Sequence, residues 1–250
     1  MTDIQTLILS LDAFDGTDRR QAALALGAVR DDAVVGALLD RLRVEPDSRV
    51  REDLTWAVVQ HAEPAHPRLV AMLADEDAAQ RRTAAHVLSK VASADDFDAV
   101  APLVADADAD VAIKAYRAAA NTGGERAVGV LVARLAVGDL LQRDALTNAL
   151  ATVGEPAVPA LVAALSSDDP EIREHAAETL GHLGGPEADA AAPALEALAA
   201  DPVVAVRLAA VAALGQLAFA ADEPLRRIAD GDDPLLAALA ARFTEDREVA

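Results

Sequence analysis

The sequence predicts an all-α fold, an α-solenoid of about eight short helix pairs, on three observations. Arginine recurs at a nearly constant interval, small and apolar residues follow it at fixed helical offsets, and Asp-rich corners separate the segments. The column Arg19, Arg51, Arg81, Ala112, Arg143, Arg173, Arg207 and Ala237 has successive spacings of 32, 30, 31, 31, 30, 34 and 30 residues. Three places on stand Ala22, Leu54, Ala84, Ala115, Leu146, Ala176 and Ala210, and seven on stand Leu26, Val58, Leu88, Ala119, Leu150, Leu180 and Leu214. Offsets of three and seven share one helix face. A helix pair with one apolar flank cannot bury it alone, so neighbouring pairs must cover it, which is the logic of a repeat array.

The clearest unit is Gly154 to Leu183, GEPAVPALVAALSSDDPEIREHAAETLGHL. Its first helix starts near Pro156 and carries Leu161, Val162 and Leu165; its second carries Ile172, Ala176, Leu180 and Leu183. Asp169 is placed to cap the second helix, with Pro170 at the first helical position, where a missing N–H costs nothing. Gly181 and Gly184-Gly185 mark its end. In chain order the other pairs are 2–14 with 17–29, 32–43 with 47–61, 67–75 with 77–91, 95–106 with 109–121, 125–136 with 139–152, and 187–200 with 202–217. A cap at 222–245 follows. The stretch from His61 to Pro67 (HAEPAHP) reads as a loop, and the closing TEDREVA as a frayed tail. Residues 1–250 read as one array without a linker.

The segments AVPALVAAL, DDPEIR and AAETLG resemble HEAT repeats, in particular the short type named after phycobilisome lyases. The resemblance spans Thr2 to Phe243; the final unit departs from it, with Ala237 where arginine is usual. It implies that the second helix of each pair lines a concave face on which a partner sits. It also brings in an enzymatic alternative, a protein related to bilin lyases or to deoxyhypusine hydroxylase, which holds two irons with paired His-Glu motifs. Here His61, His66, His86, His175 and His182 are none of them followed directly by Glu; Glu174-His175 is the reverse order, and His182 seven residues on leaves only a lone two-His site conceivable. Cysteine is absent, no serine sits in a nucleophile-elbow sequence, and the glycine pairs are helix terminators rather than phosphate loops. The expectation is therefore no catalytic residue, no metal and no cofactor.

Composition narrows the partner. The formal net charge is −20, from 42 Asp+Glu against 22 Lys+Arg, and Lys90 and Lys114 are the only lysines. Such an acidic, lysine-poor, aromatic-poor chain resembles proteins from extreme halophiles, in which surface carboxylates support solubility in concentrated salt. A nucleic-acid ligand needs clustered basic residues, and only Arg81, Arg82 and Arg117 group together. MTDIQTLILSLDAF lacks the basic start of a signal peptide, and no apolar run approaches the ~20 residues that span a bilayer. A cytoplasmic, monomeric protein that binds a protein or peptide is expected.

Two sets of positions carry that expectation. The arginines Arg19, Arg51, Arg81, Arg143, Arg173 and Arg207 are expected to form a structural ladder, each bonding a corner carboxylate or a carbonyl of the neighbouring layer. Five residues after the arginine, nearly opposite the apolar stripe, stand Leu24, Trp56, His86, Arg117, Asn148, Glu178 and Ala212. The position one after it is equally mixed. Varied chemistry on a uniform frame suits a contact surface, and Trp56, the only tryptophan, suits an interface anchor. The expected partner-binding residues are Trp56, Arg82, His86, Tyr116, Arg117, Asn148 and Glu178, centred on the second to fourth pairs.

Overall fold

The computed structural model describes residues 3–249, which contain helices and turns and no strand. The helices pair as α1 (Ile4–Ser10) with α2 (Gly16–Gly27), α3 (Ala33–Val44) with α4 (Ser48–Val59), α5 (Ala62–Met72) with α6 (Ala78–Val91), and α7 (Phe97–Val100) with α8 (Ala109–Gly123). They continue as α9 (Val128–Val132) with α10 (Leu140–Val153), α11 (Val158–Ala164) with α12 (Pro170–Leu183), α13 (Ala192–Leu198) with α14 (Val204–Gln216), and α15 (Asp222–Ala229) with α16 (Pro234–Val249). Short 3-10 turns lead into α7, α9, α11, α13 and α15. The fold is an α-solenoid. Its helices pack into two compact units, Met1–Thr122 and Gly123–Ala250.

Aspartates start the second helices. Asp15 accepts from the Thr17 amide at 2.7 Å, Asp47 from Arg49 at 2.8 Å, Asp77 from Ala79 at 2.9 Å and Asp108 from Val111 at 3.0 Å. In the second unit Asp139 accepts from Gln142 at 3.0 Å, Asp169 from Glu171 at 2.9 Å and Asp233 from Leu235 at 3.0 Å. Each bond satisfies a first-turn N–H that has no partner within its own helix. Between the helices, the columns three and seven residues beyond the arginine are all at 2% exposure or less. The column eight beyond it sets how closely second helices approach. A Cβ on Gly27 would lie 3.0 Å from Ala57 Cα across α2 and α4, and one on Gly181 would lie 2.9 Å from Ala213 Cα across α12 and α14.

Two local expectations are corrected. His61–Pro67 is not a loop: α5 begins at Ala62 and runs through both prolines. Pro64 falls in the first turn, where the missing N–H has no helical partner to lose. His61 also anchors the segment, buried with Nε2 3.0 Å from the Leu26 carbonyl. The closing segment likewise continues α16 to Val249 rather than fraying at Thr244, while Ala250 lies outside the described residues.

The arginine column ties each corner to the next. Arg19 donates through Nη1 to the carbonyls of Ala13 and Phe14, both at 2.9 Å, and through Nε and Nη2 to both oxygens of Glu45 at 2.8 Å. Arg81 repeats this with the carbonyls of Asp75 and Glu76 and with Asp106, and Arg173 with those of Ser167 and Asp168 and with Asp201. Arg51 donates to the carbonyls of Glu45 and Pro46. Arg207 donates to those of Asp201 and Pro202, with Asp233 at 3.5 Å, and Arg143 reaches the Ala136 carbonyl and Glu171. The acceptor carboxylates are held from behind by the amide two residues on: Asp47 to Glu45, Asp108 to Asp106, Val203 to Asp201. A planar guanidinium can serve two carbonyls and a bidentate carboxylate at once, which an ammonium cannot.

Glu45 is the most enclosed of these acceptors, and Arg41 also donates to it at 2.7 Å. Burial pushes its carboxyl up, but Arg19, the Asp47 amide and Arg41 outweigh that and hold it at about 2. A depressed carboxylate pKa contributes stability that is present above the ordinary value near 4.5 and lost as pH falls toward the folded value. The gap corresponds to roughly 3 kcal/mol. Glu45→Gln should therefore be less stable than the parent at pH 6, with the deficit shrinking by about 2 kcal/mol by pH 3 in urea titrations. A deficit that stays constant with pH would contradict the assignment.

Candidate partner-binding face

Five residues beyond the arginine, Leu24, Trp56, Arg117, Asn148, Glu178 and Ala212 are exposed and His86 is half-buried. The chemically varied column thus faces outward while its neighbours at offsets three and seven are enclosed. In the first unit this column and the position one beyond the arginine meet on α4, α6 and α8.

Trp56 is 46% exposed, and the Lys90 ammonium stands 4.5 Å from its ring centroid. The same ammonium donates to Glu52 Oε1 at 2.8 Å, while Glu52 Oε2 lies 3.3 Å from His86 Nε2. Lys90 chiefly holds the Glu52 carboxyl below its usual range, against burial, with His86 helping. Burial lowers the His86 pKa, with Lys114 adding to it, so the ring is neutral near pH 7 and donates its Nε2–H to Glu52. Arg82 reaches Asp110 at 3.3 Å. Beside this network lies a cleft of about 400 Å³ lined by Arg51, Glu52, Thr55, Arg82, His86 and Lys114 among others. Lys114 is half-buried, and its pKa is lowered by burial and then by Arg82 and Arg117. A cation over an exposed indole adds about 0.5–1 kcal/mol, enough to orient the ring but too little to withdraw it from a partner.

The expected site residues fall into three groups. Trp56, Arg82, His86 and Arg117 stand on the outward faces of α4, α6 and α8 in the first unit. Tyr116 does not belong with them: it is fully enclosed, and its hydroxyl has no hydrogen-bond partner. The reason is angular, because its offset of four lies about 100° round the helix from the Trp56 offset, toward the buried stripe. Asn148 and Glu178 are exposed in the second unit. Asn148 donates to the Asp144 carbonyl at 2.8 Å. Glu178 borders a groove of about 830 Å³ with Leu208, Ala212 and Leu239, where burial and Glu174 raise its pKa.

His175 has a different task from metal ligation. Its Nδ1 accepts the Ala136 amide at 3.0 Å and its Nε2 donates to Thr147 Oγ1 at 3.0 Å, so both ring nitrogens are engaged. The ring thereby holds Ala136 in a left-handed conformation at φ 62°. His182 is exposed at the rim of the α12–α14 groove. Among the described residues no group of three or more His, Asp or Glu is placed to hold a metal ion.

Sequence reasoning left Glu52, Lys90 and Lys114 outside the site. Helical angles could have gathered them. Offsets of one, two, five and nine beyond the arginine span an arc of about 100°, which unites Glu52, Arg82, Lys114, Trp56, His86, Arg117 and Lys90. That both lysines of the chain fall in this arc was the available signal.

Comparison with known proteins gives the fold and a family-model match over part of the chain. The model described as HEAT repeats matches residues 139–215. No curated protein matches the chain. Among solved structures, the CpcE–CpcF complex of phycocyanin lyase from Nostoc is similar at 20% identity over 98% of this chain and 95% of that one, with a TM-score of 0.45. Human deoxyhypusine hydroxylase in complex with glycerol is similar at 19% identity over 97% of this chain and 96% of that one, with a TM-score of 0.41. The karyopherin Kap121p bound to the SUMO protease Ulp1p aligns at 14% identity and a TM-score of 0.61, over 96% of this chain and 32% of that one. The Kap121p likeness shows the fold alone, and residues 139–215 match the HEAT-repeat model within it.

Proposed function

We propose that the chain is a non-catalytic HEAT-repeat scaffold that holds a protein or peptide on the outward faces of its second helices. The observation that carries this reading is the exposed, varied column set on enclosed, uniform ones, with Trp56 half out of its surroundings and oriented by Lys90. Exposed aromatic and arginine side chains are the residues on which binding energy concentrates at interfaces. A net charge of −20 opposes a phosphate backbone, so a nucleic-acid ligand is not part of the reading.

Replacing Trp56, Arg82 and Arg117 together by alanine should weaken capture of the partner by ten-fold or more, since interface anchors typically contribute ~2 kcal/mol or more each. Capture from native lysate in concentrated KCl, read by mass spectrometry beside the parent, tests it. A partner held equally by parent and triple variant would put the contact elsewhere.

The surplus of carboxylates is part of the same proposal: the surface is built for concentrated salt, where counter-ions screen self-repulsion. The melting temperature should then fall as KCl is lowered from molar to tens of millimolar. A melting temperature independent of salt would remove this argument.

A further inference from the structure

The face on α4, α6 and α8 carries positive charge that its own carboxylates leave uncompensated. Arg51, Arg82 and Lys114 line the cleft, and Lys90 and Arg117 flank it. The facing carboxylates are Glu52 and Asp110. Glu52 is engaged by Lys90 and His86, and Asp110, which is exposed, meets Arg82 only at 3.3 Å. Neither Lys114 nor Arg117 has a hydrogen-bond or ion-pair partner among the described residues, and Arg51 is turned to the carbonyls of Glu45 and Pro46. Burial and the charges of Arg82 and Arg117 disfavour the Lys114 ammonium more than the nearby Glu52 and Asp110 favour it.

We infer that the cleft between α4, α6 and α8 is an oxyanion subsite in which Lys114, flanked by Arg82, receives an acidic side chain, carboxylate or phosphate, of the bound peptide. The inference rests on the partner-binding reading and adds to it the chemistry of what is recognised. A volume of about 400 Å³ has room for a whole acidic side chain and adjoining peptide. Over a chain of net charge −20 an acidic segment is repelled almost everywhere, so one cationic cleft would fix its register. An oxyanion in the cleft would also return the Lys114 pKa toward the ordinary lysine value.

With two lysines in the chain, 15N-lysine labelling gives two side-chain signals that Lys90→Met and Lys114→Met assign. The full-length protein is titrated at constant ionic strength with a tetraglutamate peptide, with inorganic phosphate and, as control, with a tetralysine peptide. The Lys114 signal should shift saturably with an anion and not with tetralysine, and Lys114→Met should weaken anion binding about ten-fold or more. Lys114→Arg, which keeps the charge, should retain most of it. Saturation by tetraglutamate alone assigns a carboxylate, and by phosphate alone a phosphorylated side chain. Absence of a saturable Lys114 shift with both anions, or undiminished binding in Lys114→Met, overturns the subsite. A subsite intact in a protein whose partner survives the Trp56, Arg82 and Arg117 triple substitution would instead count against the scaffold face.

Discussion

A guanidinium fork that joins one corner to the next is the interaction on which the structure depends. Short amphipathic helices gain little from their own propensity and draw their order from packing. In this chain the core columns are rich in alanine and leucine, side chains that fill a seam without specifying which corner meets which. The fork adds direction. Arg19, Arg81 and Arg173 each hold two carbonyls of their own corner and both oxygens of the following corner's carboxylate, so the angle between successive pairs is fixed by four bonds from one side chain. Where no bond to the next corner's carboxylate forms, as at Arg51, the corner carbonyls are still held.

With the frame held this way, the outward positions of the second helices are released from structural duty. The column five beyond the arginine can change from Leu24 to Trp56 to Arg117 to Glu178 without touching the offsets that pack. The face on α4, α6 and α8 is assembled from three separate repeats that share one angular sector, so it owes nothing to a loop or an insertion. Its salt-linked part, Lys90 with Glu52 and His86, crosses between α4 and α6 and orders the indole. Its more weakly compensated part, Lys114 and Arg117 with Arg82 reaching only the exposed Asp110, lies beside it.

Much of this was legible from residue spacing. Helix type, the corners, the buried offsets and the outward column all follow from a period near 31 and 100° of rotation per residue. The failures share a physical cause, which is that spacing along one helix says nothing about what a neighbour supplies. His61–Pro67 reads as a loop from its prolines, yet it is helical: Pro64 falls in the tolerant first turn, Pro67 sits inside the helix, and His61 is anchored on the Leu26 carbonyl. Tyr116 is the exception: it reads as an aromatic beside Arg117, although its own angle sends it inward. Glu45 gives no sign in the sequence of being enclosed, because its burial is made by Arg19 and Arg41 closing over it. His175, for which the sequence expects no metal and suggests no other role, has both ring nitrogens taken by Ala136 and Thr147 from the adjoining pair.

A double-mutant cycle on Arg173 and Asp201 addresses the fork most directly. Arg173→Met, Asp201→Asn and the double variant are compared with the parent by urea denaturation. If the fork couples the two corners, the interaction energy should be about 1.5–3 kcal/mol, in the range of a charge-assisted bidentate pair. A coupling below about 0.5 kcal/mol, the level of distant independent sites, would mean that apolar packing alone sets the register and that the arginine column is incidental.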